Sequence, residues 1–311
     1  MEREKGSGSP THTDLMIKFV NAKINLGLNI TERRDDGYHN LETVFFPVGI
    51  ESGMPQQPEP FDDILETTLD LSKPAGCKFQ FMGRRIDCPP EKNLVVKAAT
   101  LLLRSYFDKN GPESIAGLFT ISLDKHLPDG AGLGGGSADA SFTLTSLNET
   151  LGNPFSRDEL LGMAARLGAD CPFFIVNTPC FAEGIGEILT PVEIDLKGNW
   201  LLLVKPPVYV STREAFAGIT PRRPDFDLRF LPYLPLDQWR ERVRNDFEES
   251  IFPIRPELRE LKDEFYTRGA VYASMSGSGS SIYGIFSSEE AARGAYEAME
   301  STYDGVWLFR L

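Results

Sequence analysis

Four cysteines in 311 residues, none at Cys-x-x-Cys spacing, give no sign of a disulfide framework. With only three histidines as well, a zinc site would find few ligands. No apolar run approaches the ~18 residues of a membrane span, and no basic-then-apolar secretory leader opens the chain. These absences point to a reduced, cytoplasmic protein with no membrane partner. Basic character is missing too: 32 Lys and Arg against 45 Asp and Glu leave a net charge of −13. Tracking nucleic-acid phosphates needs a basic face, so no nucleic-acid partner is expected. A small phosphorylated ligand is still possible, because backbone N–H groups and one or two lysines can make a pocket locally positive.

What is there is an ordinary globular composition, 41% hydrophobic and 25% charged, in a chain long enough for two domains. Residues 1–15, with GSGSP inside, read as a disordered leader or cloning remnant, and Met16 as the natural start. From Val20 the chain alternates. Ala22, Ile24, Leu26 and Leu28 share one face, and Asn21, Lys23, Asn25 and Asn29 share the other, the period of a half-buried strand. An Asp-Asp-Gly turn leads to a second strand-like run, LETVFFPVGI, and the four prolines of 51–63 read as a surface loop. NLVVKAATLLLRSYF (93–107) has helical spacing, LFTISLDKHLP alternates as a strand, and Ala140, Leu144, Leu147 and Leu151 mark a helix face. SRDE (156–159) is a capping box opening a helix that ends at Gly168. The second half alternates strands (WLLLVKP, AVYASM, SIYGIF) with helical runs around 237–249 and 256–268.

Between strand and helix lies LPDGAGLGGGSADA (127–140), with five glycines from 130 to 136. A helix start carries unpartnered N–H groups and a positive dipole end, and glycines before it let an anion reach the backbone. The segment is therefore expected to hold a phosphate. GxxxxGK[ST] is absent, so it is not a Walker loop. GxGxxG is formally present. However, a dinucleotide-binding strand is parallel and continuously apolar, whereas FTISLDKH alternates as an antiparallel strand with one open face would.

Pro128 followed by GAGLGGGSA resembles the phosphate-binding motif of the kinase superfamily named for galactokinase, homoserine kinase, mevalonate kinase and phosphomevalonate kinase. NAKINLGLNI (21–30), DGYHNLETVF (36–45), LGADCPFF (167–174), FAEGIGEILTPV (181–192) and SGSGSSIYGIF (276–286) resemble, in order, the motifs of the branch that acts on 4-diphosphocytidyl-2-C-methyl-D-erythritol. The resemblance implies an α+β fold in two domains. The amino-terminal ATP-binding domain (16–180) would be of the ribosomal protein S5 domain 2 type, and the substrate domain (181–311) ferredoxin-like. It also implies ATP and Mg²⁺ as cofactors, a small-molecule acceptor, and a monomer or homodimer.

Residue by residue, the resemblance makes Asp170 the base and Lys23 the cation beside it, though most lysines are merely solvated. Pro128, Gly130, Ala131, Gly132, Leu133, Gly134, Gly135, Gly136 and Ser137 would bind ATP, with Mg²⁺ supplying most of the counter-charge. Ser137 is open between an N-cap and a ligand of Mg²⁺ or phosphate, and Asn93 between a helix cap and a neighbour of the adenine. Asn25, Tyr38, His39, Thr212 and Phe216 would bind the acceptor, Tyr38 and Phe216 stacking on the cytosine. Tyr38 could equally be a packed hairpin aromatic. Asp139, where relatives often carry asparagine, would repel phosphates unless it faces Mg²⁺ or solvent, and no role is assigned to it. A sister kinase indifferent to cytidine, or a catalytically silent sensor, are the alternatives.

Overall fold

The computed structural model describes residues 14–49, 61–85, 88–111, 114 and 116–311. Twelve strands and nine helices follow one another in these residues: β1 (Asp14–Val20), β2 (Ala22–Arg33), β3 (His39–Val48), β4 (Asp63–Asp70), β5 (Gly76–Gly83), α1 (Leu94–Asn110), β6 (Leu118–Lys125), α2 (Gly135–Thr150), α3 (Arg157–Leu167), α4 (Cys171–Val176), β7 (Cys180–Glu183), β8 (Ile188–Pro191), β9 (Trp200–Val204), α5 (Thr212–Ala217), α6 (Trp239–Arg242), α7 (Phe247–Ile251), α8 (Pro256–Thr267), β10 (Tyr272–Met275), β11 (Ile282–Phe286), α9 (Glu289–Glu300) and β12 (Val306–Arg310). They form three four-stranded sheets, ordered β1-β4-β6-β5, β2-β3-β7-β8 and β10-β11-β9-β12.

The first core packs Val95, Ala98, Leu102, Leu144, Leu147 and Phe173 of the helices against Leu65, Phe119, Ile121 and Leu123 of the first sheet. The second packs Leu258, Leu261 and Phe265 of α8 and Ala292, Ala295 and Met299 of α9 against Ala273, Ile282 and Phe286. A third joins Ala22, Ile24 and Leu26 of β2 to Leu201, Leu203, Tyr272, Tyr283 and Ile285, so the two halves share a hydrophobic seam. No helix among the described residues is long and apolar enough to cross a membrane.

Several expectations change. Residues 1–13 lie outside the described residues, but Asp14 and Leu15 belong to β1, which pairs with β4 throughout its length, so the folded chain starts before Met16. Of the expected 51–63 loop, 51–60 lie outside the described residues. Phe61, Asp62 and Asp63 are buried, because the Asp63 carboxylate accepts hydrogen bonds from the backbone N–H groups of His126 and Leu127 and from Lys125. The polar face of β2 and of Asn21 before it is buried as well: Asn21, Lys23 and Asn25 are at most 3% exposed, because Asn177, the glycine loop and Gly277 lie against these side chains. β6 pairs antiparallel with β4 but parallel with β5, so its alternation does not mean a purely antiparallel setting. The helical run over 237–249 breaks into α6 and α7, because residues 244–246 pair with β2: Leu28 N–H donates to Arg244 O and Asp246 N–H to Leu28 O. The capping box at Ser156 forms as expected. The boundary expected at 180/181 falls within β7, which pairs with β3.

Candidate active site

The glycine loop becomes a cradle through its backbone. Gly130, Gly132 and Gly134 have φ of 61°, 75° and 73°, left-handed values that side chains resist. Gly134 caps α2, which therefore starts at Gly135, two residues before Ser137. Ser137 is thus inside the first turn, and the N-cap reading falls. Second-half residues brace the loop: Ser276 Oγ donates to Gly132 O (2.9 Å) and Ser281 N–H to Ala131 O (3.2 Å). A Cβ at Gly132 would overlap the Ser276 carbonyl, so this glycine is needed by the protein's own packing.

The loop closes one side of a cleft of about 750 Å³ between the two halves. Every residue expected at the site lines it except Asn93 and Leu133. Leu133 is buried and its carbonyl accepts from Lys23 N–H, tying the loop to β2. Asn93 caps α1, its Oδ1 accepting from Val95 N–H at 2.8 Å. It also lines an adjoining cavity of about 220 Å³ shared with Leu94, Asp129, Gly136 and Asp139.

Lys23 points from β2 into the cleft, its side chain only 4% exposed. Its Nζ donates to Asn25 Oδ1 (2.7 Å), lies 3.6 Å from Asp170 Oδ2 and sits 4.9 Å over the Phe45 ring. Burial pushes the ammonium below the usual lysine range, and Asp170 opposes that shift. Asp170 occupies the N-cap position of α4, in the short connection after α3, and its side chain is 35% exposed. Asn25 is fixed in turn by donating to Thr43 Oγ1 at 2.9 Å. A buried lysine facing a water-accessible carboxylate can hold and move a proton beside a hydroxyl.

At the far end, Tyr38 is 62% exposed on the hairpin after β2. It is His39 whose ring lies on Phe216, at 4.9 Å between centroids and 20° between planes. Phe216 is backed edge-on by Phe247 at 4.8 Å. Thr212 opens α5 beside the Ser211–Glu214 capping box.

One cluster escaped the sequence reading. Lys125 is 1% exposed and donates to Asp63 Oδ2 and to Asp139 Oδ2 (2.7 Å). Asp139 Oδ1 is buried with no partner. Burial alone would lower the Lys125 ammonium, but Asp139 and Asp63 outweigh it and hold it above the usual lysine range. Burial drives the Asp139 carboxyl well up, against Lys125 and with Asp63. Asp139 thus faces a lysine, which answers its apparent conflict with phosphates. A signal was present: Lys125 continues the buried phase of Phe119, Ile121 and Leu123 along β6.

Among the described residues no group of three or more His, Cys, Asp or Glu is arranged to hold a metal ion. The Ser137 hydroxyl and Asp170 carboxylate in the cleft fit a cation that arrives chelated by phosphates, since Mg²⁺ is commonly bound by one or two carboxylates plus substrate phosphates.

Residues 93–178 match the family model "GHMP kinases N terminal domain" and residues 234–305 "GHMP kinases C terminal". With its two halves and glycine cradle, the chain has the two-domain GHMP kinase fold. A solved structure titled "Crystal structure of 4-(cytidine 5'-diphospho)-2C-methyl-D-erythritol kinase" superposes with a TM-score of 0.74 at 30% identity, over 94% of this chain and 98% of that one. A 4-diphosphocytidyl-2-C-methyl-D-erythritol kinase of Bacteroides fragilis is 50% identical over 275 residues, 88% of this chain and 93% of the relative. That of Bacteroides thetaiotaomicron is 50% identical over 276. The chain belongs to the 4-diphosphocytidyl-2-C-methyl-D-erythritol kinase family.

Proposed function

We propose that the protein transfers the γ-phosphoryl group of ATP, with Mg²⁺, to the 2-hydroxyl of 4-diphosphocytidyl-2-C-methyl-D-erythritol, in the non-mevalonate route to isoprenoid precursors. The observation that carries this reading is the Lys23–Asp170 pair, 3.6 Å apart, facing the glycine cradle across one cleft. Asp170 takes the proton of the acceptor hydroxyl as its oxygen bonds to the γ-phosphorus and the bond to the β-phosphate oxygen breaks, releasing ADP. Lys23 holds positive charge beside that oxygen, and the backbone of 130–137 receives the triphosphate. Mg²⁺, bound to the triphosphate, supplies counter-charge.

Cytosine would lie between Tyr38 and Phe216. The support for this is a flat aromatic wall with a rigid Phe247 backing and an exposed Tyr38 on the facing hairpin. His39, now on Phe216, would turn to the polar edge of the base. A cytoplasmic location and a monomer or homodimer complete the reading.

The test is ADP release with Mg²⁺–ATP and five acceptors: 4-diphosphocytidyl-2-C-methyl-D-erythritol, its uncytidylated phosphate, mevalonate, homoserine and galactose. Turnover on the first alone is expected. Equal turnover on the uncytidylated compound would refute the base pocket, and no turnover on any would refute the reaction. Phe216→Ala is expected to raise KM for the cytidylated acceptor about tenfold, in line with the ~1–3 kcal/mol of one stack, and KM for ATP far less.

A further inference from the structure

Tyr209 belongs to none of the groups assigned above. It stands in the connection between β9 and α5, and it is 70% exposed although it lines the cleft. Its backbone is anchored on both sides. On one side the Val208 carbonyl accepts from Ser280 Oγ and from Lys205 Nζ (3.2 Å). On the other, Val210 is 3% exposed in the second core, and Ser211 caps α5. Anchored neighbours hold the side chain over the cradle: its Cε2 lies 3.1 Å from where a Cβ of Gly130 would stand. A large apolar ring held exposed at the lip of a cleft is a surface for a ligand to cover.

The loop's orientation indicates which ligand. Its Leu133–Gly134 end is tied to Lys23, through the Leu133 carbonyl and a Lys23 Cε that lies 3.3 Å from the Cβ position of Gly134. The transferred phosphoryl belongs at that end, beside Lys23 and Asp170. The nucleoside end of the triphosphate then runs back toward Gly130, where Tyr209 stands. We infer that Tyr209 is a nucleotide-binding residue, its ring closing from the second half of the chain over the nucleoside end of ATP. The inference rests on the reading that the glycine loop holds the triphosphate.

The experiment compares Tyr209→Ala, Tyr209→Phe and Gly136→Glu in steady-state kinetics. The Gly136 variant puts a carboxylate into the cradle where the nearest side-chain atom is 3.8 Å from the new Cβ. Tyr209→Ala is expected to raise KM for ATP several-fold and to shift KM for the acceptor less than twofold. Tyr209→Phe is expected to keep most of the ATP affinity, because the ring carries the contact. Gly136→Glu is expected to raise KM for ATP strongly. If it does while Tyr209→Ala leaves KM for ATP unchanged, or raises that of the acceptor instead, the role of Tyr209 is overturned and the cradle stands. If Gly136→Glu binds ATP normally, the cradle reading is overturned and Tyr209's role with it.

Discussion

Replacing Lys23 by methionine keeps the length of the stem and removes the ammonium with its charge and its hydrogen bond to Asn25. Two unit charges ~4 Å apart interact by roughly 4 kcal/mol at an effective dielectric of about 20. Asp170 is 35% exposed, so water screens the pair and that figure is an upper one. Taking about 2–3 kcal/mol as the share lost when charge develops on the acceptor oxygen, kcat should fall roughly 30- to 160-fold. Stability should move little. The buried ammonium is costly to desolvate, and its loss offsets the broken contacts to Asp170 and the 2.7 Å bond to Asn25. The assay is coupled ADP release beside calorimetric ATP binding and a melting curve. A melting temperature within a few degrees, intact ATP binding and a collapsed kcat are expected together. A kcat within threefold of the parent would refute the role of Lys23. The pH profile gives a second check. Burial lowers the Lys23 pKa, so its proton leaves at a pH below that of an ordinary lysine, and kcat should fall as pH rises through that value. The methionine variant should lack this alkaline limb.

Asp139→Asn tests the buried cluster. Burial raises the folded-state pKa of Asp139 above its unfolded value, so the folded protein binds that proton more readily and loses stability as pH rises between the two. Lys125, held high, contributes stability that stays constant until alkaline pH. The variant's melting temperature relative to the parent should therefore be more favourable at pH 8 than at pH 5, and a flat difference would sink the argument. Gly284→Ala tests the second core. A Cβ there overlaps the fully buried Phe265 ring, so a loss of about 1–3 kcal/mol is expected in thermal unfolding, and an unchanged melting temperature would show that the ring can swing aside.

The α+β architecture and the positions of most elements were legible because their patterns are local. Alternation marked β2 and β6, the capping box marked α3, and the apolar spacing marked α1 and α2. What depends on partners distant in sequence was not. Nothing local says that Lys23 and Asn25 on a polar strand face are buried, since the glycine loop that covers them lies a hundred residues on. The breakdown of the 237–249 run has the same cause: its backbone is drawn off to pair with β2. His39 lies on Phe216 through a contact between remote segments, beyond what spacing can express. The glycine loop between β6 and α2 was legible as a break between strand and helix, but its bracing by Ser276 and Ser281 was not.

That bracing separates the reasons for each glycine. Gly132 and Gly134 are required by the protein itself, since a Cβ would strike the Ser276 backbone in one case and, at 2.9 Å, the Phe174 ring in the other. Gly136 differs. It lies in the first turn of α2, where alanine is a better helix former by about 1 kcal/mol, and the nearest atom to its missing Cβ is Leu94 Cδ1 at 3.8 Å. No packing in the protein explains it, yet it lines the cleft. The remaining reason for glycine is close approach of the ligand to the backbone. Gly136→Ala should therefore melt at the same temperature as the parent or higher, while its affinity for ATP falls several-fold by calorimetry. Unchanged ATP affinity in a stabilised Gly136→Ala variant would show that the phosphates do not approach the helix at this turn.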